Sequence, residues 1–368
     1  MTHAYPQSHG CSFNMPMNLA EVYAGKKVLI SGHSGFKGSW LSFTLNWMGA
    51  EVYGYSIDQP NNLNHAFHAL GISSIVNKLS TCRGDVRTAQ YTNFLDNVRP
   101  DFIFHLAAQA IVTKGYEDPF ETISTNTFGV LNILEYLRIQ SRAIPTVIIT
   151  SDKCYKNLDQ GVAFIESDNL GGNDPYSASK AAAENLFGCY LSSFFKKLNK
   201  PVATARAGNV FGGGDWSAHR LIPDAINSIL TFQKIFLRMP LATRPWTLVH
   251  DVLKGYLLLG KLLSESPEDY MGSWNFASEE VMSVSEISNC LVDYFTADLG
   301  EINTSVASNN ISENALLMLN SSKAKKMLNW DCRVELREAI RETAKWYAHQ
   351  HKGENMANYS RHYLEEIY

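Results

Sequence analysis

Residues 27–38 read KVLISGHSGFKG, and this stretch decides the fold of the chain. The apolar run Lys27–Ser31 has the length and composition of a buried strand. Gly32, Gly35 and Gly38 follow in a Gly-x-x-Gly-x-x-Gly pattern, which differs by one residue in spacing from the commoner dinucleotide-binding fingerprint. An apolar helical stretch begins after the last glycine. The sequence therefore predicts a strand, a glycine-rich loop and a helix in succession.

A loop of this kind can bind the pyrophosphate of a dinucleotide. Glycines let the backbone approach the phosphates, and the free amides at the helix N-terminus meet their negative charge. We therefore assign the three glycines and Phe36 to a cofactor site. His33 and Lys37, which lie between the glycines, either contact phosphate or ribose or are simply solvated. The same glycines would also suit a plain turn, so the assignment needs support from other motifs.

The sequence after this unit alternates short apolar strands with helical stretches. Strands are predicted at 51–58, 102–109, 146–150 and 201–206, without hairpin signals between them. This alternation predicts an α/β fold, a Rossmann-type doubly wound parallel sheet with a smaller mixed α/β lobe toward the carboxyl terminus. Ligands bind such sheets at the carboxyl ends of the strands. The glycine loop and the ends of the later strands should therefore line one crevice.

Changes in composition suggest where the regions of the chain begin and end. We find no internal repeat and no low-complexity segment that would complicate the division. The expected regions are a loose N-terminal arm at 1–20, a Rossmann domain at 21–207 and about 244–272, a substrate lobe at about 208–243 and 273–350, and a C-terminal tail at 351–368.

Further cofactor contacts are expected at the ends of the next strands. Asp58 ends the second strand about where a ribose-binding carboxylate belongs, which favours NAD over its 2′-phosphorylated form; it could also merely begin the following loop. Asp85 and Val86 could border the adenine ring, although Asp85 suits a cap of the next helix equally well. Small residues after the third strand would let a dinucleotide lie against the backbone. The remaining candidates are Leu106, Ala107, Ala108, Gln109 and, in the helix that follows, Asn126.

A second motif lies at 174–180, which reads DPYSASK. Pro175 suits the first turn of a helix and Asp174 can cap it, so Tyr176 and Lys180 would stand one turn apart on the same face. A phenol has a reference pKa of about 10, so Tyr176 is a poor base unless a cation stabilises the phenolate. Lys180 would supply that cation. A surface helix on which the two side chains meet by chance is the alternative.

Composition limits the class of protein. The 368 residues carry a formal net charge of −4, which gives no basic field for nucleic acid. Six cysteines are scattered without a Cys-x-x-Cys pair, which argues against a structural zinc site and favours a reducing compartment. The sequence shows neither a secretory signal nor an apolar run of membrane-spanning length. We therefore expect a cytoplasmic protein with no metal, nucleic-acid or membrane partner.

Taken together, these motifs resemble the extended short-chain dehydrogenase/reductase family and, within it, the nucleotide-sugar 4,6-dehydratases. The likeness is strongest to the subgroup that acts on CDP-glucose, and it spans about residues 26–346. Three stretches carry it: SGHSGFKGSWL at 31–41, TSDKCY at 150–155, and the segment from RAGNV to GGDW at 206–216.

What the resemblance implies is a hydro-lyase that uses NAD as a returning hydride carrier. Tyr176, as a phenolate beside Lys180, would deprotonate the 4-hydroxyl of the sugar while hydride leaves carbon 4. Lys153 would then remove the proton on carbon 5, Asp152 would protonate the departing 6-hydroxyl, and Ser151 would hydrogen-bond the 4-oxygen. An acid and a base on adjacent residues can serve neighbouring carbon atoms if the backbone bends there. Return of hydride to carbon 6 would give a 4-keto-6-deoxy sugar.

The resemblance also implies a substrate site and an oligomer. Asn209, Arg220 and Arg244 match the region where relatives hold the nucleotide sugar, and arginine suits bidentate contact with its pyrophosphate. Relatives pair the helices that contain Asn126 and Tyr176 across a dimer, so a homodimer or a dimer of dimers is expected. A place in deoxysugar synthesis for bacterial surface polysaccharide, such as lipopolysaccharide O-antigen, is implied in the same way.

Several alternatives stay open. Lys153 stands where dTDP-glucose relatives carry glutamate, which favours CDP-glucose, but a lysine is a base only when neutral and could instead form a salt bridge. CDP-glucose relatives usually carry arginine at the position of Thr113. A dehydratase or epimerase acting on a GDP-, UDP- or dTDP-linked sugar is therefore the alternative. A non-catalytic NAD-binding scaffold is a third hypothesis.

Overall fold

The computed structural model describes residues 19–76, 83–157, 161–237, 239–299, 304–306 and 317–368. The loose arm expected at 1–20 lies outside the described residues up to position 18. Within the described ranges, no helix is long and apolar enough to cross a membrane.

Strands and helices follow one another in the order expected for a doubly wound fold. The strands are β1 (Lys27–Ser31), β2 (Glu51–Tyr55), β3 (Phe102–His105), β4 (Thr146–Ile149), β5 (Val202–Ala207), β6 (Asn209–Phe211), β7 (Ile235–Leu237), β8 (Thr243–Leu248), β9 (Gly272–Phe276), β10 (Val281–Ser283) and β11 (Thr304–Val306). The helices are α1 (Leu19–Tyr23), α2 (Phe36–Trp47), α3 (Ala66–Ala69), α4 (Ile72–Ile75), α5 (Ala89–Val98), α6 (Val112–Glu117), α7 (Pro119–Ile139), α8 (Pro175–Tyr190), α9 (Lys196–Leu198), α10 (Leu221–Leu230), α11 (Val249–Glu265), α12 (Pro267–Tyr270), α13 (Val284–Leu299), α14 (Ser322–Leu328), α15 (Leu336–His351) and α16 (Met356–Ile367). A 3₁₀ turn at Asp152–Cys154 follows β4, and a π-helical turn at Leu191–Phe195 joins α8 to α9.

The main sheet confirms the predicted Rossmann-type topology. Among the described residues it contains six parallel strands in the order β2-β1-β3-β4-β5-β9. The chain passes from β1 to β2 on one side and then crosses to β3 on the other. The strand order therefore reverses between β1 and β3. A crevice opens beyond the carboxyl ends of the strands at such a point, and this is where open α/β sheets bind their ligands.

Helices cover both faces of the sheet. Val28 and Ile30 of β1 pack into a core that includes residues of α2 and α11, whereas Leu29 packs into a second core with α5, α7 and α8. Alternate residues of a strand point to opposite faces, so one apolar run serves both cores. All residues of β3, β4 and β5 are buried for the same reason.

The boundaries between the two regions differ from those expected. β9 pairs with the outer edge of β5, so the main sheet runs to Phe276 and not to 272. The reason is that β5 is buried throughout and has backbone groups on its outer edge that need a neighbouring strand. β8, in contrast, pairs with β6 and β10 in a separate sheet, so the second Rossmann segment begins with α11 rather than near 244. β7 and β11 form a further parallel pair.

The C-terminal tail expected at 351–368 is instead largely a packed helix. Met356, Ser360 and Leu364 recur every four residues along α16 and are buried. Trp346 Nε1 of α15 donates a hydrogen bond to Ser360 Oγ at 3.0 Å. This helix extends the larger of the two cores and holds the C-terminus against the domain.

Candidate active site

The glycine loop follows the carboxyl end of β1, as the sequence predicted, and the structure places it at the reversal point of the sheet. Gly32 has a φ of +76°, and a Cβ there would lie 2.8 Å from Ala107 N. A Cβ at Gly38 would overlap the backbone of Gly32 and His33. These two positions need glycine so that the loop can pack against α2 and the end of β3. Gly35 is exposed, so its backbone is open to an anion at the N-terminus of α2.

The end of β3 forms the facing wall of the crevice. Residues 106–109 are half-buried, and Ala107 N donates to Ser31 Oγ at 3.3 Å, which ties the end of β3 to the end of β1. Asn126 Nδ2 donates to Gln109 O and to Ser179 Oγ, at 3.0 and 2.8 Å. Both amide protons of Asn126 are thus used within the protein. The structure gives Asn126 a bracing role, and its predicted cofactor contact stays a prediction.

Asp58 lies at the outer end of the crevice. Its backbone oxygen accepts a hydrogen bond from Ser34 Oγ at 2.6 Å, which holds it beside the glycine loop. Its carboxylate forms an ion pair with Arg83, and both side chains are exposed. Exposed ion pairs are weak, so the carboxylate can still meet a ribose. The sequence did not predict a role for Arg83. An isolated parallel bridge with Ser56 places it near Asp58, and such a bridge has no recognisable sequence pattern.

Asp85 and Val86 follow this bridge. The carboxylate of Asp85 accepts from the backbone and guanidinium of Arg87 rather than capping α5, whose N-cap is Thr88. The capping alternative for Asp85 is therefore wrong. Val86 is buried, and a Cβ at Gly129 of α7 would lie 2.8 Å from its side chain. Both residues hold α5 and α7 beside the expected adenine position.

His33 is buried and Lys37 is half-buried. The ring of His33 fills the space left by the missing side chain of Gly54, and its Nδ1 lies 3.0 Å from Ser56 Oγ. Burial lowers the pKa of His33 to about 4, so the ring is neutral at pH 7. Lys37 Nζ lies 3.5 Å from the hydroxyl of Tyr256. Burial, and then the charge of Lys180, lower the pKa of Lys37 to about 7.

The second motif forms the start of α8. The carboxylate of Asp174 accepts from the backbone amides of Tyr176 and Ser177, both at 3.0 Å, which confirms the predicted cap. Tyr176 and Lys180 are buried, with Lys180 Nζ 6.0 Å from the centroid of the Tyr176 ring. A chance meeting on an exposed helix is therefore excluded. Lys180 Nζ also donates to Ile149 O at 3.4 Å, which links the helix to β4.

The electrostatics of this pair follow from burial. Burial raises the pKa of Tyr176 to about 12, against an opposing hydrogen bond from Ser151. Burial lowers the pKa of Lys180 to about 8, and the carboxylate of Glu184 opposes this shift most strongly. Glu184 is one turn beyond Lys180 on the same face. Sequence interpretation gave Glu184 no role, although its spacing from Tyr176 and Lys180 was visible.

The four residues after Thr150, at 151–154, form a bend that includes the 3₁₀ turn. Ser151 Oγ donates to Asp152 Oδ1 at 2.8 Å and accepts from Lys153 N at 3.2 Å. Ser151 and Asp152 are buried, whereas Lys153 is half-buried. A Cβ at Gly208 would lie 3.3 Å from Asp152 Oδ2, so the carboxylate is in contact with the entrance to the smaller lobe.

The predicted substrate residues come from that lobe. Asn209 begins β6 and is in register with Trp246 of β8, and Arg244 lies two residues before Trp246 in β8. Arg220 precedes α10 and its Nη1 forms an ion pair with Asp215 at 2.8 Å. The charge of Arg220 acts on both Tyr176 and Lys37, which places it at the same crevice.

Several of the predicted groups lie together at the carboxyl ends of the strands: the glycine loop, the end of β3, the bend after β4 and the start of α8. Arg220 of the smaller lobe is near enough for its charge to act on Tyr176 and Lys37. The roles of Asn209 and Arg244 stay predictions. Across the described residues, no group of three or more His, Cys, Asp or Glu side chains is placed to hold a metal ion. The arrangement is that of a dinucleotide-dependent enzyme with a buried Tyr–Lys pair.

Comparison with known proteins identifies the family. A family model described as GDP-mannose 4,6 dehydratase matches residues 29–343, and the chain belongs to this family. It is 36% identical over 342 residues to the CDP-glucose 4,6-dehydratase of Salmonella typhimurium strain LT2, covering 91% of this chain and 94% of that protein. It is 25% identical over 328 residues to human dTDP-D-glucose 4,6-dehydratase, covering 88% and 90%.

Solved structures show the same fold. The dTDP-glucose 4,6-dehydratase of Bacillus anthracis, solved with NAD, has a TM-score of 0.72 at 20% identity and covers 90% of this chain and 100% of its own. An epimerase from Methanothermobacter thermautotrophicus has a TM-score of 0.76 at 22% identity, covering 90% and 95%. The predicted fold is confirmed, and so are the predicted family of NAD-dependent nucleotide-sugar 4,6-dehydratases and the hydro-lyase class.

Proposed function

We propose that this protein converts CDP-D-glucose to CDP-4-dehydro-6-deoxy-D-glucose and water. The observation that carries the proposal is the convergence of Tyr176 and Lys180 with the acid–base bend at Ser151–Lys153 in one crevice. The 36% identity to a CDP-glucose 4,6-dehydratase over 91% of the chain supports the choice of nucleotide. The residues of the glycine loop and Asp58 fit a bound NAD, because they offer open backbone amides and a ribose-binding carboxylate beside them.

Each side chain has one task in this reaction. The glycine loop and Asp58 would hold NAD, which would supply a reversible hydride carrier between carbon 4 and carbon 6 of the sugar. Tyr176 takes the proton of the 4-hydroxyl, and Lys180 stabilises the phenolate that accepts it. Lys153 in its neutral form removes the proton on carbon 5, which the 4-ketone has made acidic. Asp152 in its protonated form gives a proton to the departing 6-hydroxyl, so that water leaves.

The substrate's pyrophosphate requires cations at the edge of the site. Arg220 and Arg244 are proposed to hold it, with Asn209 beside them on β6. Asp215 pairs with Arg220 and fixes its guanidinium before substrate arrives. The proposed site therefore joins both regions of the protein.

The direct test is mass spectrometry after incubation of the protein and NAD with CDP-, GDP-, UDP- and dTDP-glucose. Loss of one water from the CDP sugar alone is the expected result. Loss of water from another sugar instead would replace the nucleotide in the proposal. Absence of any loss from all four would refute dehydration of a glucose nucleotide.

A dehydratase or epimerase acting on another nucleotide sugar is the second candidate, because one wall of the site departs from the subgroup pattern. α6 contains Thr113 and lies against the start of α8; a Cβ at Gly115 would be 3.5 Å from Tyr176 N. An epimerase does not need the acid at Asp152. Asp152→Asn should therefore abolish water loss by a dehydratase but spare the turnover of an epimerase.

We also propose a cytoplasmic homodimer, or a dimer of dimers, that serves deoxysugar synthesis for surface polysaccharide. α7 exposes large apolar side chains, with Phe128 at 53% and Ile139 at 63%. Leu186 of α8 and Leu191 of the turn after it are also only partly buried. Phe128→Glu should halve the mass measured by light scattering, whether the native protein is a dimer or a dimer of dimers, because it disrupts the contact between paired helices. The matched control, Leu63→Glu, changes an apolar residue exposed elsewhere and should leave the mass unchanged.

A further inference from the structure

A buried ion pair lies directly behind the catalytic residues. Glu184 Oε2 is 2.6 Å from Arg206 Nη2, and the two side chains are 0% and 3% exposed. Burying two charges is costly, and such a pair can often be replaced by apolar residues without loss of stability. Stability alone therefore does not explain a buried ion pair behind an active site.

The pair is bonded to both ends of the catalytic bend. Thr150, the residue before Ser151, donates its hydroxyl to Glu184 Oε1. Tyr155, the residue after the 3₁₀ turn, accepts a hydrogen bond from Arg206 Nη1 at 2.6 Å. The ring of Tyr155 also stacks on Phe164 with centroids 4.9 Å apart. One buried network thus holds the chain immediately before and immediately after the bend.

The same carboxylate belongs to the helix that carries the Tyr–Lys pair. Glu184 follows Lys180 by one turn of α8, and its charge acts on the Lys180 ammonium. We propose that Glu184 and Arg206 are positioning residues, which hold the bend at 151–154 in a fixed position relative to Tyr176 and Lys180. This inference rests on the proposed function, because it assigns both groups of residues to a single reaction.

Two threonines allow a controlled test. Thr204 of β5 donates to Glu184 Oε2 at 3.0 Å, so it contacts the same carboxylate as Thr150 but has no link along the chain to the bend. Thr150→Val and Thr204→Val each remove one hydroxyl with little change of shape and leave the ion pair intact. A purely structural role of the network predicts similar effects of the two changes. A positioning role predicts an effect on chemistry only at Thr150.

The measurements are the kcat and KM for CDP-glucose with NAD, and amide hydrogen exchange of the peptide that contains 151–155. Thr150→Val should lower kcat by about ten- to a hundredfold with KM within about twofold, because small misplacements of reacting groups are costly. Exchange of the bend should accelerate. Thr204→Val should change neither quantity by more than about twofold. Thr150→Ser, which keeps the hydroxyl, should restore both.

A second variant covers the case in which Thr150→Val does not fold. Tyr155→Phe keeps the stack on Phe164 but removes the oxygen that Arg206 contacts, and it should also lower kcat and accelerate exchange at 151–155. Equal behaviour of the Thr150 and Thr204 variants in both measurements would overturn the inference. Lack of turnover by the unmodified protein would instead refute the proposed function, and the exchange comparison would still decide the role of the pair.

Discussion

The ammonium of Lys180 lies 6.0 Å from the centroid of the Tyr176 ring, and the two side chains share a buried face of α8. Burial opposes charge on both, so the pKa of Tyr176 rises to about 12 and that of Lys180 falls to about 8. Near pH 7 the pair is a neutral phenol beside a cation. Tyr176 can take the substrate's proton only after it has lost its own proton to solvent. The Lys180 cation is needed because it stabilises the phenolate that results.

Tyr176→Phe should reduce turnover by about a thousandfold or more, because it removes the group that accepts the 4-hydroxyl proton. The melting temperature should change little, since the ring stays in place. Product formation from CDP-glucose measures the effect. Tyr190→Phe is the matched control: Tyr190 is the last residue of α8, its hydroxyl donates to Glu135 of α7, and removal of that hydroxyl should leave turnover unchanged. Turnover of the Tyr176 variant near that of the control would exclude Tyr176 as the base.

The activity should fall on the alkaline side near pH 8. As pH rises through about 8, Lys180 loses its proton, and the cation that stabilises the phenolate is lost. The profile of kcat/KM against pH reports groups of the free enzyme and is the appropriate measurement. The Lys180→Arg variant keeps its positive charge to far higher pH. It should react more slowly, but its pH profile should lack the fall in activity near pH 8. A native profile that stays flat to pH 10 would contradict the assignment.

Gly208→Ala should lower kcat by about tenfold or more with little loss of stability. The new methyl group would lie 3.3 Å from Asp152 Oδ2, so the carboxylate would have to shift away from its position beside Ser151. Steady-state kinetics and thermal melting measure the two effects. Gly188→Ala is a suitable control, because nothing lies within 4 Å of a Cβ at that position of α8. Equal kcat for both variants would show that the Asp152 carboxylate tolerates displacement.

Buried histidines should make the fold sensitive to mild acid. Burial lowers the pKa of His250 to about 3. Below pH 6.5 this residue is therefore protonated in the unfolded chain but stays neutral in the folded protein. Stability therefore falls as pH drops from 6.5, by about 2 kcal/mol at pH 5 for this group. His33 and His105, with pKa values lowered by burial to about 4 and about 3, act in the same direction.

The change that tests this is His250→Phe, which keeps a ring between Trp40 and Tyr363 but cannot be protonated. The loss in free energy of unfolding between pH 7 and pH 5 should shrink by about 2 kcal/mol, as measured by urea denaturation. His351→Gln, at an exposed position of α15, should leave that loss unchanged. An unaltered pH dependence in the His250 variant would show that His250 is protonated in the folded state.

The parts of the site that the sequence predicted are those made by neighbours in the chain. Asp174 and Pro175 start α8 through a cap and a fixed φ, which involve only the next few residues. Gly32 and Gly38 produce a loop because side chains would collide with the backbone there. The class of fold and the Tyr–Lys pair follow from these local rules. The position of β9 in the main sheet does not follow from local rules, because it depends on the unpaired outer edge of β5.

Other roles depended on residues far apart in the chain. His33 was expected in a loop open to ligand, but Gly54 leaves room for its ring inside the protein. Arg83 forms an ion pair with Asp58, and Arg206 with Glu184. The partners are too far apart in the chain for a spacing rule to predict these pairs.

Short-range chemistry was therefore enough to specify the strand–loop–helix unit, the capped helix with the Tyr–Lys pair and the alternation of strands and helices, since backbone dihedrals, caps and apolar periods act within a few residues. The charge states and partners of the site residues were settled only when β1, β3, β4 and β5 came together. The pKa of Lys180 illustrates the reason: burial lowers it to about 8 against the opposing charge of Glu184, and desolvation is a property of the packed molecule.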